Sequence, residues 1–514
     1  MITINGNSIT LNDIYNIVFK NTPFEVDKDA LNEVTKSYNF LKEFSQKKLI
    51  YGINTGFGPM AQYRIDDSEL VDLQYNIIRS HSSGLNSYLE EPYAKAVLIN
   101  LLNAMLRGLS GIHPDLIRTI TEMLAKGIHP CIPVHGGVGA SGDLVQMAHV
   151  ALGIIGEGDV YCDGQITDAA EAFAKKAVTP FKVHIREGIS IMNGTTAMTA
   201  VASINLYNAQ NALEWSLALS SCINEMMESY DDHYSVGLNS AKKQSGQMVV
   251  AKAMEDFVAG SQKIHSRKEL YKNRVEETHI KHKVQPFYSL RCVPQILGPV
   301  YDSIVYSQQI VENELNSTTD NPIVNYNEEN VYHGGNFHGD YISLEMDKLK
   351  LVVTRVTMLA ERQLNYLVNP AINGCLQPFV NSGKLGLNFG FQGIQFTATS
   401  TTAENQALST SHYIHSIPNN NDNQDIVSMG FNAAYAAKRV VENAFEVLAI
   451  QSAATIQAID MLGCKNQLSV QSQKMYDNLR QIFPPYKEDR STRKDMLKLK
   501  DYMIANPLQI LFKR

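Results

Sequence analysis

The chain has 514 residues, a formal net charge of −7 and 44% apolar residues, which predicts a globular protein with a sizeable core and one to three domains. The acidic balance without a basic run argues against nucleic acid and anionic lipid as partners. The N-terminus lacks the pattern of a secretory signal, and no apolar stretch of membrane-spanning length is present. The six cysteines form no C-x-x-C pair, which indicates reduced thiols and a cytoplasmic location.

The first part of the chain has a mixed pattern. Short strand-like pieces (MITING, KKLIYGI and GDVYCDGQI) alternate with helical stretches and with loops rich in Gly and Pro. The stretch PYAKAVLINLLNAMLRGL predicts a helix with Pro92 in its first turn. We therefore expect a mixed α/β N-terminal domain over residues 1–190.

Long helical patterns dominate the remainder, over residues 197–227, 341–368 and 437–462. They predict a mainly α fold in which residues 191–514 form a long central helical bundle. Helices this apolar predict an oligomer, because a monomer would expose too much apolar surface. The charged, aperiodic stretch RKELYKNRVEETHIKHKVQPFYSLRC predicts a surface loop, and we expect a lid at about residues 262–292.

The stretch HGGVGASGDL, residues 135–144, contains Gly137, Gly139 and Gly142 in the spacing G-x-G-x-x-G of a dinucleotide loop. Prolines interrupt the preceding segment where a buried strand would be needed. Asp143 also places a carboxylate where a pyrophosphate would need positive potential. We expect no nucleotide here. A plain turn followed by a helix N-cap remains open from these residues alone.

A chemical interpretation of the same loop is also open. If a tight turn brings the Gly142 nitrogen onto the Ala140 carbonyl carbon, the backbone can close a five-membered ring, because glycine has no Cβ to block the approach. Ring closure removes the amide conjugation that would resist dehydration of Ser141. Loss of two waters then leaves a methylidene-imidazolone, an electrophilic alkene.

The segment GGVGASGDL resembles the prosthetic-group loop of the aromatic amino acid and histidine ammonia-lyase family, and further motifs extend the resemblance over nearly the whole chain. Within that family it is most similar to bacterial tyrosine ammonia-lyases. The resemblance implies the ammonia-lyase/fumarase-like fold and a homotetramer whose active sites are shared between chains. It also implies a 4-methylidene-imidazole-5-one formed autocatalytically from Ala140, Ser141 and Gly142, without metal or nucleotide.

The resemblance assigns roles to individual residues in the motifs YGINTGFGPM, IIRSHSSG, REGISIMNGTTAM, QPFYSLRCVPQILGP, TDNPIVNYNEENVYHGGNFHGD and HSIPNNNDNQDIVSMG. The catalytic residues implied are Tyr51, Ala140, Ser141, Gly142 and Tyr288. The substrate-binding residues implied are Gly58, His81, Asn193, Arg291, Phe337, Asn420 and Gln424, with Asn321 in the same motif as Phe337. These assignments agree with elementary chemistry, since a phenolate can act as base and a guanidinium grips a carboxylate with two parallel bonds. His333 and His338 match no common metal-ligand spacing, and we expect no metal.

Two positions bear on the substrate, which we expect to be a small aromatic amino acid. Histidine-specific members carry Glu where this chain has Gln424, and phenylalanine-specific members tend to carry an apolar ring where it has His81. Tyrosine remains, so we expect non-oxidative elimination of ammonia from L-tyrosine to give trans-p-coumarate. Histidine ammonia-lyase and a tyrosine or phenylalanine 2,3-aminomutase remain as alternatives, since lyase and aminomutase differ in how long the lid stays shut.

Two alternatives lie further away. Fumarase/aspartase-type lyases share long helices, but their S-S-x-M-P-x-K-x-N signature is missing from this sequence. A helical scaffold without activity would keep Ser141 unmodified and release no ammonia. The residues also leave open whether the amine or the ring of the substrate adds to the electrophile.

Overall fold

The structure is a computed structural model that describes residues 1–272, 278 and 284–513, except for the side chain of Lys47. It is mainly helical, as predicted. The helices in the N-terminal part are Leu11–Phe19, Lys28–Phe44, Leu70–His81, Glu91–Met105, Pro114–Lys126, Leu144–Ile154, Ala169–Lys176 and Glu187–Met192. Those that follow are Thr196–Met226, Val236–Asn239, Ser245–Phe257, Arg267–Leu270, Tyr288–Arg291, Val293–Leu315, Asp340–Val368, Pro370–Asn373, Gln392–Leu408, Gly430–Leu462, Val470–Ile482 and Arg493–Ala505. Short 3-10 turns cover Ser45–Lys47, Gly58–Met60, Asp231–His233, Pro378–Val380 and Lys465–Gln467.

The strands are short and form small sheets. They are Ile2–Ile4, Phe24–Val26, Leu85–Tyr88, Ile128–Pro130, Pro133–His135, Asp159–Cys162, Gln165–Asp168, Ile323–Asn325 and Asn330–Tyr332. The first two pair in parallel, and the other pairs are antiparallel. Most of the strands lie in the N-terminal part, in line with the mixed pattern of its sequence.

One predicted strand does not form. The stretch KKLIYGI, residues 47–53, makes bends and turns, because a side chain supplies the hydrogen bonds that a sheet would have supplied. The amide of Asn54 accepts a hydrogen bond from the Ile50 N–H at 2.8 Å and donates one to the Lys48 carbonyl at 2.9 Å. This prediction was wrong, and Tyr51 lies within the turn.

The chain divides into two compact units. The first consists of residues 1–207, 307–347 and 411–438, and the second of residues 208–306, 348–410 and 439–514. The ranges interleave along the chain, so they do not coincide with the expected ranges 1–190 and 191–514. The domain boundary near residue 190 therefore stays a prediction.

Each unit has its own core. In the first, the Arg186 guanidinium donates to the Asp320 carboxylate at 2.9 Å and to the Pro322 carbonyl at 2.7 Å, and both charged side chains are buried. Burial raises the pKa of Asp320 to about 6, although Arg186 opposes that shift. In the second, the fully buried Trp215 donates its indole N–H to the Met503 carbonyl at 3.0 Å. These buried polar groups are thus paired within their own unit.

The helix Gly430–Leu462 is long and apolar enough to cross a membrane by length and composition alone. However, 78% of its most apolar window is buried within the fold. A buried helix of this kind is a core helix, because its apolar surface is already covered by protein.

Candidate active site

The first unit contains a cavity of about 860 Å³. Its lining includes most of the residues to which the sequence assigned roles, namely Tyr51, Gly58, His81, Ser141, Asn193, Asn321, Phe337, Asn420 and Gln424. They come from widely separated parts of the sequence. A cavity lined by serine, tyrosine, histidine and amide side chains suits a small polar ligand with an aromatic ring.

The loop around Ser141 requires its glycines. Gly139 and Gly142 have φ values of +82° and +74°, a region that disfavours other residues. A Cβ at Gly142 would overlap the carbonyl oxygen of Gly194, and one at Gly139 would overlap the Ser428 hydroxyl. The backbones of residues 142 and 194 pair as an isolated bridge, with Asp143 N–H donating to the Gly194 carbonyl at 2.8 Å. The tight turn that ring closure needs is therefore compatible with this chain.

Hydrogen-bond donors face the oxygens of Ser141. The amide of Asn193 donates to the Ser141 carbonyl at 2.9 Å, and the N–H of Gly194 lies 3.4 Å from the same oxygen. The amide of Gln424 donates to the Ser141 hydroxyl at 2.8 Å. These donors polarise the carbonyl and favour departure of the hydroxyl, so the surroundings of Ser141 fit its conversion to a dehydrated form.

Asp143 has a role that the sequence reasoning missed. Its side chain makes no cap to the helix Leu144–Ile154 that follows it. Instead its carboxylate accepts the N–H of Met198 at 2.7 Å, in the first turn of the helix Thr196–Met226. Burial raises the pKa of Asp143 to about 7. Its position directly after the tripeptide could have marked Asp143 as a candidate. The sequence could not show its partner, which lies more than fifty residues away.

Tyr51 lies in the turn that precedes the short helix Gly58–Met60. Its phenol oxygen accepts a hydrogen bond from the Gly58 N–H at 3.2 Å. This hydrogen bond fixes the position of the phenol oxygen. Gly58 has a φ of +52°, and a Cβ there would lie 2.8 Å from the amide nitrogen of Asn420. Glycine thus lets the tyrosine loop approach the opposite wall of the cavity.

His81 is the last residue of the helix Leu70–His81. Its Nδ1 lies 3.0 Å from the Ile77 carbonyl and 3.0 Å from the Ser80 hydroxyl. A carbonyl can only accept, so Nδ1 carries a hydrogen, and of the two neutral tautomers this contact selects the one with its lone pair on Nε2. In that tautomer, Nε2 of His81 can accept a hydrogen bond.

The segment that carries Gln424 has an unusual backbone. Asn420, Asn421 and Asp422 all have φ values between +52° and +58°, which Asn and Asp tolerate better than other residues. Asn419 and Gln424 close this turn by pairing their backbones in both directions. The turn brings Asn420 and Gln424 to the cavity from one short segment.

Tyr288 and Arg291 are not brought to this cavity. They belong to the second unit, where they help to line a different cavity of about 720 Å³. The Arg291 guanidinium lies 4.7 Å from the centre of the Tyr288 ring, and its buried Nε has no hydrogen-bond partner among the described residues. Of the predicted lid, residues 273–277 and 279–283 lie outside the described residues.

The cavity also contains residues that received no role from the sequence. His333 lines it, although the sequence raised this residue only as a metal ligand. Its neighbour Gly334 donates its N–H to the Asn321 amide oxygen at 2.8 Å, which fixes that segment. The same motif contains Phe337, so every residue of the GGNFHG stretch was a reasonable candidate.

A group that could hold a metal lies elsewhere in the first unit. His113, Asp115 and His184 place ligand atoms within 4.8 Å of one another. The two imidazole rings stack with centroids 4.1 Å apart, and Nδ1 of His113 accepts the Asp115 N–H at 3.1 Å as a helix cap. This lone pair is thus engaged with the backbone. None of the three lines the cavity, and the absence of a metal stays a prediction.

The chain is similar in sequence to known enzymes over most of its length. The sequence model of the family described as aromatic amino acid lyase matches residues 9–481. Tyrosine 2,3-aminomutase of Myxococcus sp. is 36% identical over 93% of this chain and 92% of its own length. Histidine ammonia-lyase of Geobacillus thermodenitrificans is 34% identical over 96% of both chains.

A third relative connects sequence with structure. The MIO-dependent tyrosine 2,3-aminomutase of Streptomyces globisporus is 32% identical over 96% of this chain and 93% of its own length. The crystal structure of tyrosine aminomutase from that organism superposes with a TM-score of 0.94, covering 98% and 97% of the two chains at 30% identity. The fold agrees with the mainly helical architecture predicted from the sequence.

Proposed function

Because the chain belongs to the aromatic amino acid lyase family, whose members are ammonia-lyases and aminomutases, we propose that it is a tyrosine ammonia-lyase. Its reaction would release ammonia from L-tyrosine and leave trans-p-coumarate. The observation that carries this proposal is that one cavity contains Ser141, Tyr51, His81 and Gln424 together. The first two supply the chemistry of elimination, and the last two favour a neutral aromatic side chain with a hydroxyl.

The proposed prosthetic group forms from Ala140, Ser141 and Gly142. The overlap at Gly142, the left-handed loop and the donors around Ser141 all fit such a group. Once formed, it supplies an electrophilic alkene that makes the elimination of ammonia easier. Asn193 would hold it, since its amide donates to the Ser141 carbonyl oxygen, which the ring keeps. Gln424 contacts the Ser141 hydroxyl, which leaves as water when the group forms.

Residues that line the cavity remove the proton and hold the substrate. Tyr51 removes the β-proton, and the Gly58 N–H, at 3.2 Å from its phenol oxygen, holds that oxygen in position. His81 accepts the phenol O–H of the substrate at Nε2, because Nδ1 is engaged with Ile77. Phe337 and Asn321 close the walls around the substrate, and the cavity as a whole orients it for one reaction.

The substrate carboxylate needs a cation. We assign it to Arg291, with Tyr288 beside it, supplied by another copy of the chain in a homotetramer. Two observations support this assignment. Neither residue lines the cavity of its own chain, and the Arg291 Nε is buried without a partner among the described residues. Exposed apolar side chains, such as Leu351 at 58% and Phe396 at 66%, supply surface for assembly. We place the enzyme in the cytoplasm.

A tyrosine 2,3-aminomutase is the second candidate. The observation that favours it is that relatives at 32–36% identity have that name. It would use the same residues and return ammonia to the β-carbon. Histidine ammonia-lyase fits less well, because a neutral amide at Gln424 offers no charge to a partly cationic imidazole substrate.

The deciding experiment incubates the purified chain separately with L-tyrosine, L-phenylalanine and L-histidine. Ultraviolet absorbance follows the conjugated product, chromatography looks for β-tyrosine, and intact mass reports whether the chain has lost two waters. We expect p-coumarate from tyrosine, no β-tyrosine and a chain lighter by two waters. Mainly β-tyrosine would favour the aminomutase, and a chain of unchanged mass that is nevertheless active would overturn the proposal.

A further inference from the structure

The imidazole of His338 lies against the tripeptide that the proposed function requires to cyclise. Its Nδ1 is 3.5 Å from the carbonyl oxygen of Ala140, at the outer limit of a hydrogen bond, and its Nε2 is 3.4 Å from the Asp340 carboxylate. Both oxygens can only accept hydrogen bonds. Nδ1 is therefore placed to donate to the Ala140 oxygen, and Nε2, when it carries a proton, to the Asp340 carboxylate.

The backbone fixes this imidazole relative to the loop. The N–H of Gly339 lies 3.3 Å from the Gly139 carbonyl, and the Ser428 hydroxyl donates to the same oxygen at 3.0 Å. A Cβ at Gly339 would lie 2.6 Å from the Met198 sulfur, so a larger residue would have to displace that side chain. The long helix Asp340–Val368 begins at the next residue, which gives the contact a rigid base.

Ring closure places a specific demand on the Ala140 oxygen. The Gly142 nitrogen forms a bond to the Ala140 carbonyl carbon, and the Ala140 oxygen must leave as water. Two protons reach that oxygen, and the chain loses one from the Gly142 nitrogen and one from the Ser141 nitrogen, so the balance is one water. An amide oxygen leaves slowly unless an acid protonates it.

The second water has different sources. It takes the Ser141 hydroxyl and the hydrogen on the Ser141 Cα. Gln424 donates to that hydroxyl, and Asn193 and Gly194 polarise the carbonyl next to the Cα. The contacts of Ser141 thus serve the second dehydration, which leaves the Ala140 oxygen to His338.

We infer that His338, held by Asp340, is the acid that protonates the Ala140 oxygen during self-cyclisation. The inference rests on the proposed function, since it concerns how the prosthetic group forms. His338 is protonated again when the cyclisation is complete, because the protons released by the Gly142 and Ser141 nitrogens replace those it gives. Its role is completed before any substrate binds.

The test measures the mass of the freshly synthesised chain over time, without substrate. Glutamine can donate a hydrogen bond to the Ala140 oxygen but cannot transfer a proton, so His338→Gln separates acid catalysis from polarisation. We expect the wild-type chain to lose two waters and the variant to lose them about 100-fold more slowly, the lower end of what a positioned acid contributes. Peptide mapping should place the retained mass in residues 140–142. The exposed His135, next to the loop, gives the matched control His135→Gln, which should cyclise at the wild-type rate.

Two further variants keep the test decisive. His338→Gly leaves space for free imidazole, which should accelerate water loss in that chain. Asp340→Asn keeps the imidazole and weakens its positive charge, so it should slow water loss even if the His338 variants fail to fold. Circular dichroism reports folding in each case.

Each outcome has one meaning. Water loss at the wild-type rate in folded His338→Gln, or in Asp340→Asn if the His338 variants unfold, overturns this inference and leaves the proposed function intact. No acceleration by imidazole in folded His338→Gly also counts against the inference. A wild-type chain that never loses two waters overturns the proposed function itself.

Discussion

Single hydrogen bonds decide what His81 can recognise. A neutral imidazole has one donor and one acceptor, and the helix uses the donor at Nδ1 on the Ile77 carbonyl. If His81 selects the substrate as proposed, that substrate must offer a donor to Nε2. The phenol of tyrosine offers one, whereas the ring of phenylalanine does not, so binding phenylalanine would leave a polar atom unpaired in the cavity.

This predicts the effect of His81→Phe. The ratio of kcat/KM for tyrosine to that for phenylalanine should fall steeply, by up to about 10⁴-fold if the imidazole–phenol bond is fully desolvated. Activity on phenylalanine should persist, which controls for loss of folding. Steady-state kinetics with both amino acids measure the ratio, and an unchanged ratio would remove His81 from substrate selection.

Tyr51 carries the second prediction at this scale. Tyr51→Phe removes the phenol oxygen that accepts the Gly58 N–H, and with it the proposed base. We expect kcat for tyrosine to fall by about 10²–10⁴-fold with a small change in KM. Intact mass should still show the loss of two waters, because Tyr51 does not contribute to cyclisation. Near-normal turnover in this variant would mean that another group takes the β-proton.

At the scale of elements, sequence patterns predicted long helices better than strands. The helical patterns over 197–227 and 341–368 correspond to Thr196–Met226 and Asp340–Val368. A long helix repeats its signal many times, so local exceptions do not matter. A three-residue strand has no such repetition, and in KKLIYGI one asparagine side chain was enough to replace the sheet with a turn.

Sequence patterns likewise predicted site residues inside local motifs better than contacts between distant residues. Residues inside recognisable motifs, such as Tyr51 and Gln424, were predicted and do line the cavity. The open alternative that Asp143 caps the helix after it does not hold, because its carboxylate accepts the Met198 N–H of another helix. A cap is visible in sequence only when its helix follows directly. The contact of His338 with Ala140 joins residues almost two hundred positions apart, and no local pattern contains it.

The loop element supplies a prediction about its glycines. Gly142 and Gly164 have φ values of +74° and +75°, so alanine strains both backbones equally, by about 1–2 kcal/mol. Only at Gly142 does a Cβ overlap another residue, because Gly164 has no neighbour within 4 Å in its hairpin turn. We expect Gly142→Ala to abolish the loss of two waters and Gly164→Ala to leave it unchanged. Equal behaviour in intact mass would show that close packing onto Gly194 is unimportant.

The turn Asp231–His233 gives a prediction about pH. Burial lowers the pKa of His233 to about 4, with Arg267 and Arg291 adding to the shift and Asp232 opposing it. The unfolded chain binds this proton more readily, so His233 stabilises the fold fully above pH 6.5 and loses that contribution as the pH falls towards 4. Relative to His233→Gln, the free energy of unfolding of the wild type should fall by about 3 kcal/mol over that range. Parallel stability curves from urea titrations would contradict this.

At the scale of the whole molecule, exposed apolar side chains on the helix Asp340–Val368 point to assembly with other copies of the chain. Leu344 and Leu351 occupy the apolar spacing of the helix Asp340–Val368, yet they are 42% and 58% exposed in the isolated chain. An apolar stripe identifies a buried face without saying which chain buries it. The sequence could therefore predict assembly, but not which residues one chain would lend to the site of another.

Arg291 does not line the cavity, and this makes the proposed assembly testable. If Arg291 enters the site of another copy, a chain with Tyr51→Phe and a chain with Arg291→Met should restore one another when they assemble together. Some mixed sites then combine an intact Tyr51 cavity with an intact Arg291, so co-expressed chains should convert tyrosine far faster than either variant alone. Tyr51→Phe with Gln424→Leu is the matched control, because both residues line the same cavity of one chain and no mixed site receives both intact. Restoration in the control as well would mean that the cavity itself is divided between chains, and restoration in neither would place Arg291 in the site of its own chain.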